Sequence, residues 1–243
     1  MSFNYWGENR REEMFNLWKD HWPNHKPGFE MFTSPLRENA DVVIMGYNPG
    51  GGTEGEYHDH MKPFIKNNPD FSLPEVGHYE SGRTYPIANR LRNCVFHGKT
   101  HLFENCIETN RRFLRSTRKK NYKSLMDEVS VEIQKEYDQF CDETIVQLLN
   151  RADPEVIFDF SGDDVINTFR ENYGFDVFVE RRCISIDADD RDRKTPETEA
   201  TVTIAELNGG EKRLISVDPH IAYRLSNIHK EFLKNNIPPF LPD

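Results

Sequence analysis

The sequence has few cysteines, few turn-forming residues and no long apolar run. Its 243 residues include 4 cysteines, 14 glycines and 14 prolines. So little glycine and proline excludes a fibrous or low-complexity chain. The apolar runs, such as residues 42–45, are far shorter than the ~20 residues that a membrane helix needs. The N-terminus also lacks the apolar core of a signal peptide, which predicts an intracellular, cytoplasmic protein with no membrane partner.

The cysteines, Cys94, Cys106, Cys141 and Cys183, form no CxxC pair. An intracellular chain keeps its thiols reduced, so a disulfide framework is not expected. Free cysteine is among the most buried residue types, and we therefore expect small apolar core residues at these positions. Their spacing does not fit a zinc ribbon or an iron–sulfur cluster.

The net charge of −10 conceals an uneven distribution. Residues 89–123 carry ten Lys or Arg against two acids, whereas residues 127–164 carry twelve Asp or Glu against two bases. Because a polyanion responds to the local surface, the total charge neither proves nor excludes a nucleic-acid partner.

The order of apolar runs predicts an α/β fold in one domain spanning residues 1–243. The continuous apolar run Asp41–Gly46 is typical of a strand buried on both faces. Residues 1–40 form a predicted helical extension, and the core covers about residues 41–235. The alternation predicts a three-layer αβα arrangement with a central, mostly parallel sheet. Strands are predicted at 41–46, 102–110, 156–160, 175–179, 183–186, 200–206 and 213–217, and helices at 10–20, 85–93, 125–150, 163–172 and 220–235.

The loop after the first strand, Met45-Gly-Tyr-Asn-Pro-Gly-Gly-Gly52, is the first place to look for a ligand. In an open α/β sheet, ligands bind beyond the carboxyl ends of the strands. Consecutive glycines also let a ligand approach the backbone. The pattern fits neither GxGxxG nor GxxxxGK[ST], which disfavours a dinucleotide fingerprint or a P-loop.

Gly46-Tyr-Asn-Pro-Gly50 resembles the first motif of the uracil-DNA glycosylase superfamily, in the GxNPG form of its mismatch-specific and single-strand-selective branches. The order of later segments is also similar over roughly residues 40–235. Ile107–Asn110 stands where the family's second strand ends in a base-reading Asn. Leu148–Gly162 matches its "L…PxVIxxxG" segment, and Ser216–Ser226 replaces its HPS motif in degenerate form.

The resemblance implies a monofunctional DNA glycosylase that flips uracil or a related damaged or mismatched base into a pocket. It also implies hydrolysis without a metal or an organic cofactor. Asn48 would hold the attacking water, and Asn110 would read the pyrimidine edge. The simpler alternatives are a turn residue before proline for Asn48 and a strand-ending residue for Asn110. The base pocket would also include Gly46, Tyr47, Pro49 and Gly50.

The resemblance also implies an aromatic residue that stacks on the base. Phe64 is favoured over Tyr47 and Tyr57 for this role.

The second motif departs from the family pattern. Asp218 stands where the family often has His, and a carboxyl would stabilise the leaving base only when protonated, so His220 would take that role one position along. Alternatively, Asp218 caps a helix that Pro219 begins. The candidates that fill the gap left by the flipped base are Tyr223, Arg224 and Leu225.

The basic run that follows Asn110 contributes Arg111, Arg112 and Arg115, which we expect either to contact DNA phosphates or to form a plain exposed loop. The expected partner is DNA bound by a monomer. Two alternatives stay open: a catalytically inactive glycosylase-fold protein that binds DNA or a nucleotide, and a metal-dependent hydrolase using the region of His58 and His60.

Overall fold

The computed structural model describes residues 1–50, 69–78, 86–103, 105–116, 119–162, 164–187, 198–218 and 227–242. In this part of the chain, the centre is a six-stranded sheet with the order β2-β1-β3-β6-β5-β4. The pairs β2–β1, β1–β3 and β3–β6 are parallel, and β5 is antiparallel to both its neighbours. The predicted α/β fold with a mostly parallel sheet is confirmed. The strands are β1 Val42–Gly46, β2 Ile107–Asn110, β3 Val156–Asp159, β4 Val177–Asp187, β5 Thr198–Leu207 and β6 Lys212–Asp218.

Helices surround this sheet, and two of them pass directly into π-helical segments. The α-helices are α1 Phe3–His21, α2 Pro86–Arg90, α3 Lys119–Met126, α4 Val131–Ala152, α5 Val165–Asn167 and α6 Asn227–Asn236. The π-helical segments are Leu91–Val95 after α2 and Thr168–Asn172 after α5. Short 3₁₀ turns lie at Thr100–Phe103 and Pro238–Phe240.

Apolar layers cover both faces of the sheet. Successive β1 side chains alternate between the two layers, with Val43 and Met45 in one and Val42 and Ile44 in the other. The first layer includes residues of α1 and α4, and the second includes residues of α6 and of the π-helical segment after α2. Every β1 residue is buried, as the continuous apolar run predicts.

The N-terminal segment is part of the core rather than an extension of it. Helix α1 begins at Phe3, seven residues before the predicted start, because the Ser2 hydroxyl accepts a hydrogen bond from the Tyr5 backbone N–H at 3.3 Å. Trp6 Nε1 donates to Gln147 Oε1 at 2.9 Å. This hydrogen bond joins α1 to α4 beside the shared apolar layer.

Three predicted elements have different limits in the structure. Residues 102–110 are not one strand, because a 3₁₀ turn ends at Phe103 and β2 begins at Ile107. The predicted helix at 125–150 is divided between α3 and α4, and Ser130 caps the second helix by accepting from Ile133 N–H at 3.4 Å. The predicted helix at 163–172 is divided between α5, whose N-cap is Asp164, and the π-helical segment Thr168–Asn172.

The outer edge of the sheet is formed by β4, a single 11-residue strand where two short strands were predicted. Its pairing with β5 shifts register between Val179 and Arg181, as in a β-bulge. Phe178 and Ile184 on this strand are 69% and 52% exposed. An apolar edge therefore faces solvent on both sides of the bulge.

The four cysteines are free. Cys94, Cys106 and Cys141 are buried, which confirms the prediction for these three residues. Cys183 on the edge strand β4 is partly exposed, so it departs from that prediction.

Candidate functional site

The strand order places a topological switch point between β1 and β3. The chain passes from β1 to β2 on one side and then returns to β3 on the other side of β1. At such a point the loops after neighbouring parallel strands diverge and leave a crevice beyond their carboxyl ends. The strands around it end at Gly46, Asn110 and Asp159.

Gly46 and Asn110 lie side by side at this edge, in register with each other. A Cβ atom at Gly46 would lie 2.7 Å from Asn110 Oδ1 and 3.4 Å from the Phe160 ring. Glycine is therefore the residue that lets the half-buried Asn110 amide rest against the end of β1. The first motif and the predicted base-reading Asn are thus in contact.

The loop after β1 is fixed by main-chain hydrogen bonds to the segment 111–116. These bonds extend the contact between β1 and β2 beyond the ends of both strands. Arg111 N–H donates to Gly46 O at 2.8 Å, Arg112 N–H to Tyr47 O at 2.8 Å, and Ser116 N–H to Pro49 O at 3.0 Å. The segment 111–116 thus holds the loop after β1 in place.

Asn48 is anchored through one end of its amide. Its Nδ2 donates to Pro49 O at 3.0 Å and to Ser116 O at 3.1 Å. Within the described residues, Oδ1 has no hydrogen-bond partner. The half-buried side chain is therefore oriented by the protein and keeps an acceptor oxygen for a water or a ligand.

Tyr47, Pro49 and Gly50 complete this loop. The Tyr47 ring stands edge-on to Tyr122 with 5.6 Å between ring centroids, and burial raises the pKa of its hydroxyl. Pro49 is buried and Gly50 is exposed. Tyr47 thus packs against α3 as a wall of the crevice.

Arg111, Arg112 and Arg115 do not form an exposed basic loop, so that sequence-based alternative is wrong for them. Arg111 and Arg115 are 7% and 5% exposed. All three guanidinium groups bind partners within the protein. Arg111 donates to Ser161 Oγ at 2.9 Å and to Thr168 Oγ1, Arg112 pairs with Asp138 at 3.0 Å and Asp142 at 2.7 Å, and Arg115 pairs with Glu30.

Tyr137 supports the same segment from α4. Its hydroxyl accepts hydrogen bonds from Phe113 N–H at 2.8 Å and Leu114 N–H at 2.9 Å. Both donors are thereby satisfied in the interior, where an unpaired N–H is costly. Side chains from distant parts of the sequence thus hold the segment that supports the loop.

A buried polar group beneath the crevice was missed by the sequence analysis. Asp159 ends β3 with no exposed surface, and its Oδ1 accepts from Ser161 N–H at 2.7 Å. Burial raises the pKa of Asp159, and the Arg111 charge opposes that rise. The available signal was an acid at the end of the otherwise apolar strand Val156–Asp159.

The remaining predicted site residues lie on β6 or outside the described residues. Asp218 is the exposed last residue of β6, a strand that is parallel to β3 and has Ser216 in register with Asp159. Asp218 therefore lies at the same edge of the sheet as Asp159. Outside the described residues lie Phe64, His220, Tyr223 and Arg224, together with His58 and His60 of the metal alternative.

No protein-family model matches the chain, and no curated protein matches it significantly. In the described ranges, no helix is long and apolar enough to cross a membrane. The same ranges contain no group of three or more His, Cys, Asp or Glu arranged to hold a metal ion.

Proposed function

We propose that this chain is a DNA glycosylase of the uracil-DNA glycosylase type, hydrolysing the N-glycosidic bond of uracil or a related damaged or mismatched base. The observation that carries the proposal is the arrangement of two half-buried amides, Asn48 and Asn110, around Gly46 beside the switch point. This arrangement supports the family resemblance, which rests on the order of these motifs along the chain. The proposal includes the family's three-layer fold and a reaction with no metal or organic cofactor.

In this proposal the anchored amide of Asn48 orients the attacking water. Its Nδ2 is held by Pro49 O and Ser116 O, which leaves Oδ1 to accept a hydrogen bond from water. An amide is a poor base, but a dissociative reaction needs the water placed near C1′ more than it needs a strong base. Cleavage releases the base as an anion, and His220 is proposed to stabilise it, whereas the Asp218 carboxyl could do so only when protonated.

Asn110 is proposed to recognise the base. Its amide offers one acceptor and two donors, which suits the edge of a pyrimidine. Gly46 permits the position of this amide, and Tyr47 and Pro49 form the neighbouring wall. Phe64 is proposed to stack on the flipped base.

The internal arginines favour a second candidate, a glycosylase-fold protein that binds a nucleotide without cleaving it. Arg111, Arg112 and Arg115 are committed to partners inside the protein, so they do not support a grip on DNA phosphates. A single nucleotide needs fewer phosphate contacts than a DNA strand, so this candidate does not depend on these arginines.

Base release from uracil-containing oligonucleotides tests the first candidate. The substrates are single-stranded, U·G and U·A forms, with chelator present. We expect release by the wild type and a loss of about 100-fold or more in Asn48→Ala, the scale of removing one oriented catalytic group. Asn150→Ala is the matched control, because Asn150 is exposed on α4.

Three outcomes separate the proposals. Release that Asn48→Ala abolishes and Asn150→Ala retains supports the glycosylase. Absence of release, with deoxyuridine monophosphate bound by the folded wild type and not by Asn110→Ala, supports the nucleotide-binding candidate. Release that survives Asn48→Ala, or that chelator abolishes, contradicts the proposed mechanism.

A further inference from the structure

Three buried polar atoms near the end of β3 have no hydrogen-bond partner within the described residues. They are Arg111 Nε, Asp159 Oδ2 and Tyr173 Oη. The exposed fractions of the three residues are 7%, 0% and 6%. Buried polar atoms in folded proteins are almost always hydrogen-bonded, either to protein or to an ordered water. Three such atoms in one cluster therefore require an explanation.

Arg111 and Asp159 meet at Ser161. The Arg111 guanidinium donates to Ser161 Oγ at 2.9 Å, and Ser161 N–H donates to Asp159 Oδ1 at 2.7 Å. The cation and the carboxylate thus both contact one small residue. Their unpartnered atoms, Nε and Oδ2, belong to these same two groups.

Tyr173 reaches the cluster through Thr168. The second guanidinium nitrogen of Arg111 donates to Thr168 Oγ1, and the π-helical segment Thr168–Asn172 ends where Tyr173 N–H donates to Thr168 O at 3.1 Å. Among neighbouring charges, Arg111 does most to lower the pKa of both Tyr173 and Asp159. Tyr173 and Asp159 thus both lie within electrostatic reach of the Arg111 guanidinium.

The chemistry of the three atoms selects the ligand. Arg111 Nε–H is a donor, Asp159 Oδ2 is an acceptor, and the Tyr173 hydroxyl is both. An anion is disfavoured by Asp159, a cation by Arg111, and an apolar group leaves all three unsatisfied. Water has two donors and two acceptors, and buried waters characteristically satisfy groups of this kind.

We propose that Arg111, Asp159 and Tyr173 form a binding site for a buried water. The bound water completes their hydrogen bonds and joins the ends of β2 and β3 to the π-helical segment. It thereby fixes the floor beneath the crevice. This site does not rest on the proposed function, and it stands if the chain cleaves no DNA.

A crystal structure of the full chain at about 1.5 Å resolution tests the site directly. We expect a water about 2.6–3.2 Å from Asp159 Oδ2 and from Arg111 Nε or Tyr173 Oη. Direct contacts among these three atoms, or a cluster without water, would overturn the proposal.

Tyr173→Phe gives an independent test in solution. If the hydroxyl binds water, its removal raises the unfolding equilibrium constant about fivefold, the usual effect of losing one hydrogen bond. If the hydroxyl is unpartnered, its removal leaves that constant unchanged or lowers it, which also overturns the proposal. Tyr137→Phe is the control, because the Tyr137 hydroxyl has two partners and its loss must destabilise the fold.

Discussion

Replacing Arg111 with methionine tests whether its guanidinium serves the interior of the protein or an external ligand. The side chain is 7% exposed and donates to Ser161 Oγ at 2.9 Å and to Thr168 Oγ1. Methionine keeps an apolar stem but leaves the buried Asp159 without its cation. The change also removes two hydrogen bonds from a charged donor, each worth about 1.5–3 kcal/mol, so we expect the free energy of unfolding to fall by at least that amount.

Urea denaturation near neutral pH, followed by circular dichroism and tryptophan fluorescence, measures this loss. The double variant Arg111→Met/Asp159→Asn should recover part of it, because the uncompensated carboxylate is gone. Arg182→Met is the control, since Arg182 is exposed on β4 and its loss should change the free energy by less than about 0.5 kcal/mol.

The decrease in the free energy of unfolding of Arg111→Met should also depend on pH. Burial raises the pKa of Asp159 in the folded protein, and removing Arg111 raises it further. Above this raised pKa, the buried carboxylate destabilises the fold. The penalty declines as pH falls through the folded pKa towards the unfolded value of about 4, because protonation then favours the folded state. A loss below about 1 kcal/mol at neutral pH would refute an internal role for Arg111.

Three further results are expected. His25 is partly buried, with its Nε2 2.8 Å from Arg115 O, and burial lowers the pKa of its imidazole. As pH falls, the unfolded state therefore binds a proton before the folded state does. The free energy of unfolding should accordingly decrease below about pH 6.5. In His25→Gln that part of the acid slope should vanish from melting curves, and an unchanged slope would exclude His25 as its source. Iodoacetamide with mass spectrometry should label Cys183 well before Cys141, because Cys141 is buried and its pKa is raised to about 12. Gly46→Ala should displace the Asn110 amide, 2.7 Å from the new Cβ, at a cost of about 1–3 kcal/mol. Any base release or nucleotide binding should weaken with it, and full retention would show that the position of Asn110 is unimportant.

The parts of the site that could be predicted are those set by local pattern. A continuous apolar run ended by Gly46 specifies a buried strand, and Asn110 ends the next strand along the chain. Because parallel strands present their carboxyl ends at the same edge, these two residues could be expected near each other before the structure was known.

The role of the arginines could not be predicted, because it depends on distant partners. Arg111 and Ser161 are 50 positions apart, and Arg115 and Glu30 are 85 positions apart. A run of basic residues has the same local pattern whether its charges face solvent or buried acids. The break between α3 and α4 within residues 125–150 could not be predicted from periodicity, because the apolar spacing continues across it. Only Ser130, the N-cap of α4, marks the start of the new helix.

The exposed edge of the sheet has a consequence for handling the protein. On β4, Phe178, Val179 and Ile184 expose apolar side chains, and the three residues between Val179 and Cys183 are charged. Bare strand edges of this kind invite β-pairing between molecules, and charges or bulges within them hinder it. The charges of Glu180, Arg181 and Arg182 therefore hinder aggregation through this strand edge. Neutral residues at these positions would lower the protein concentration at which aggregation begins.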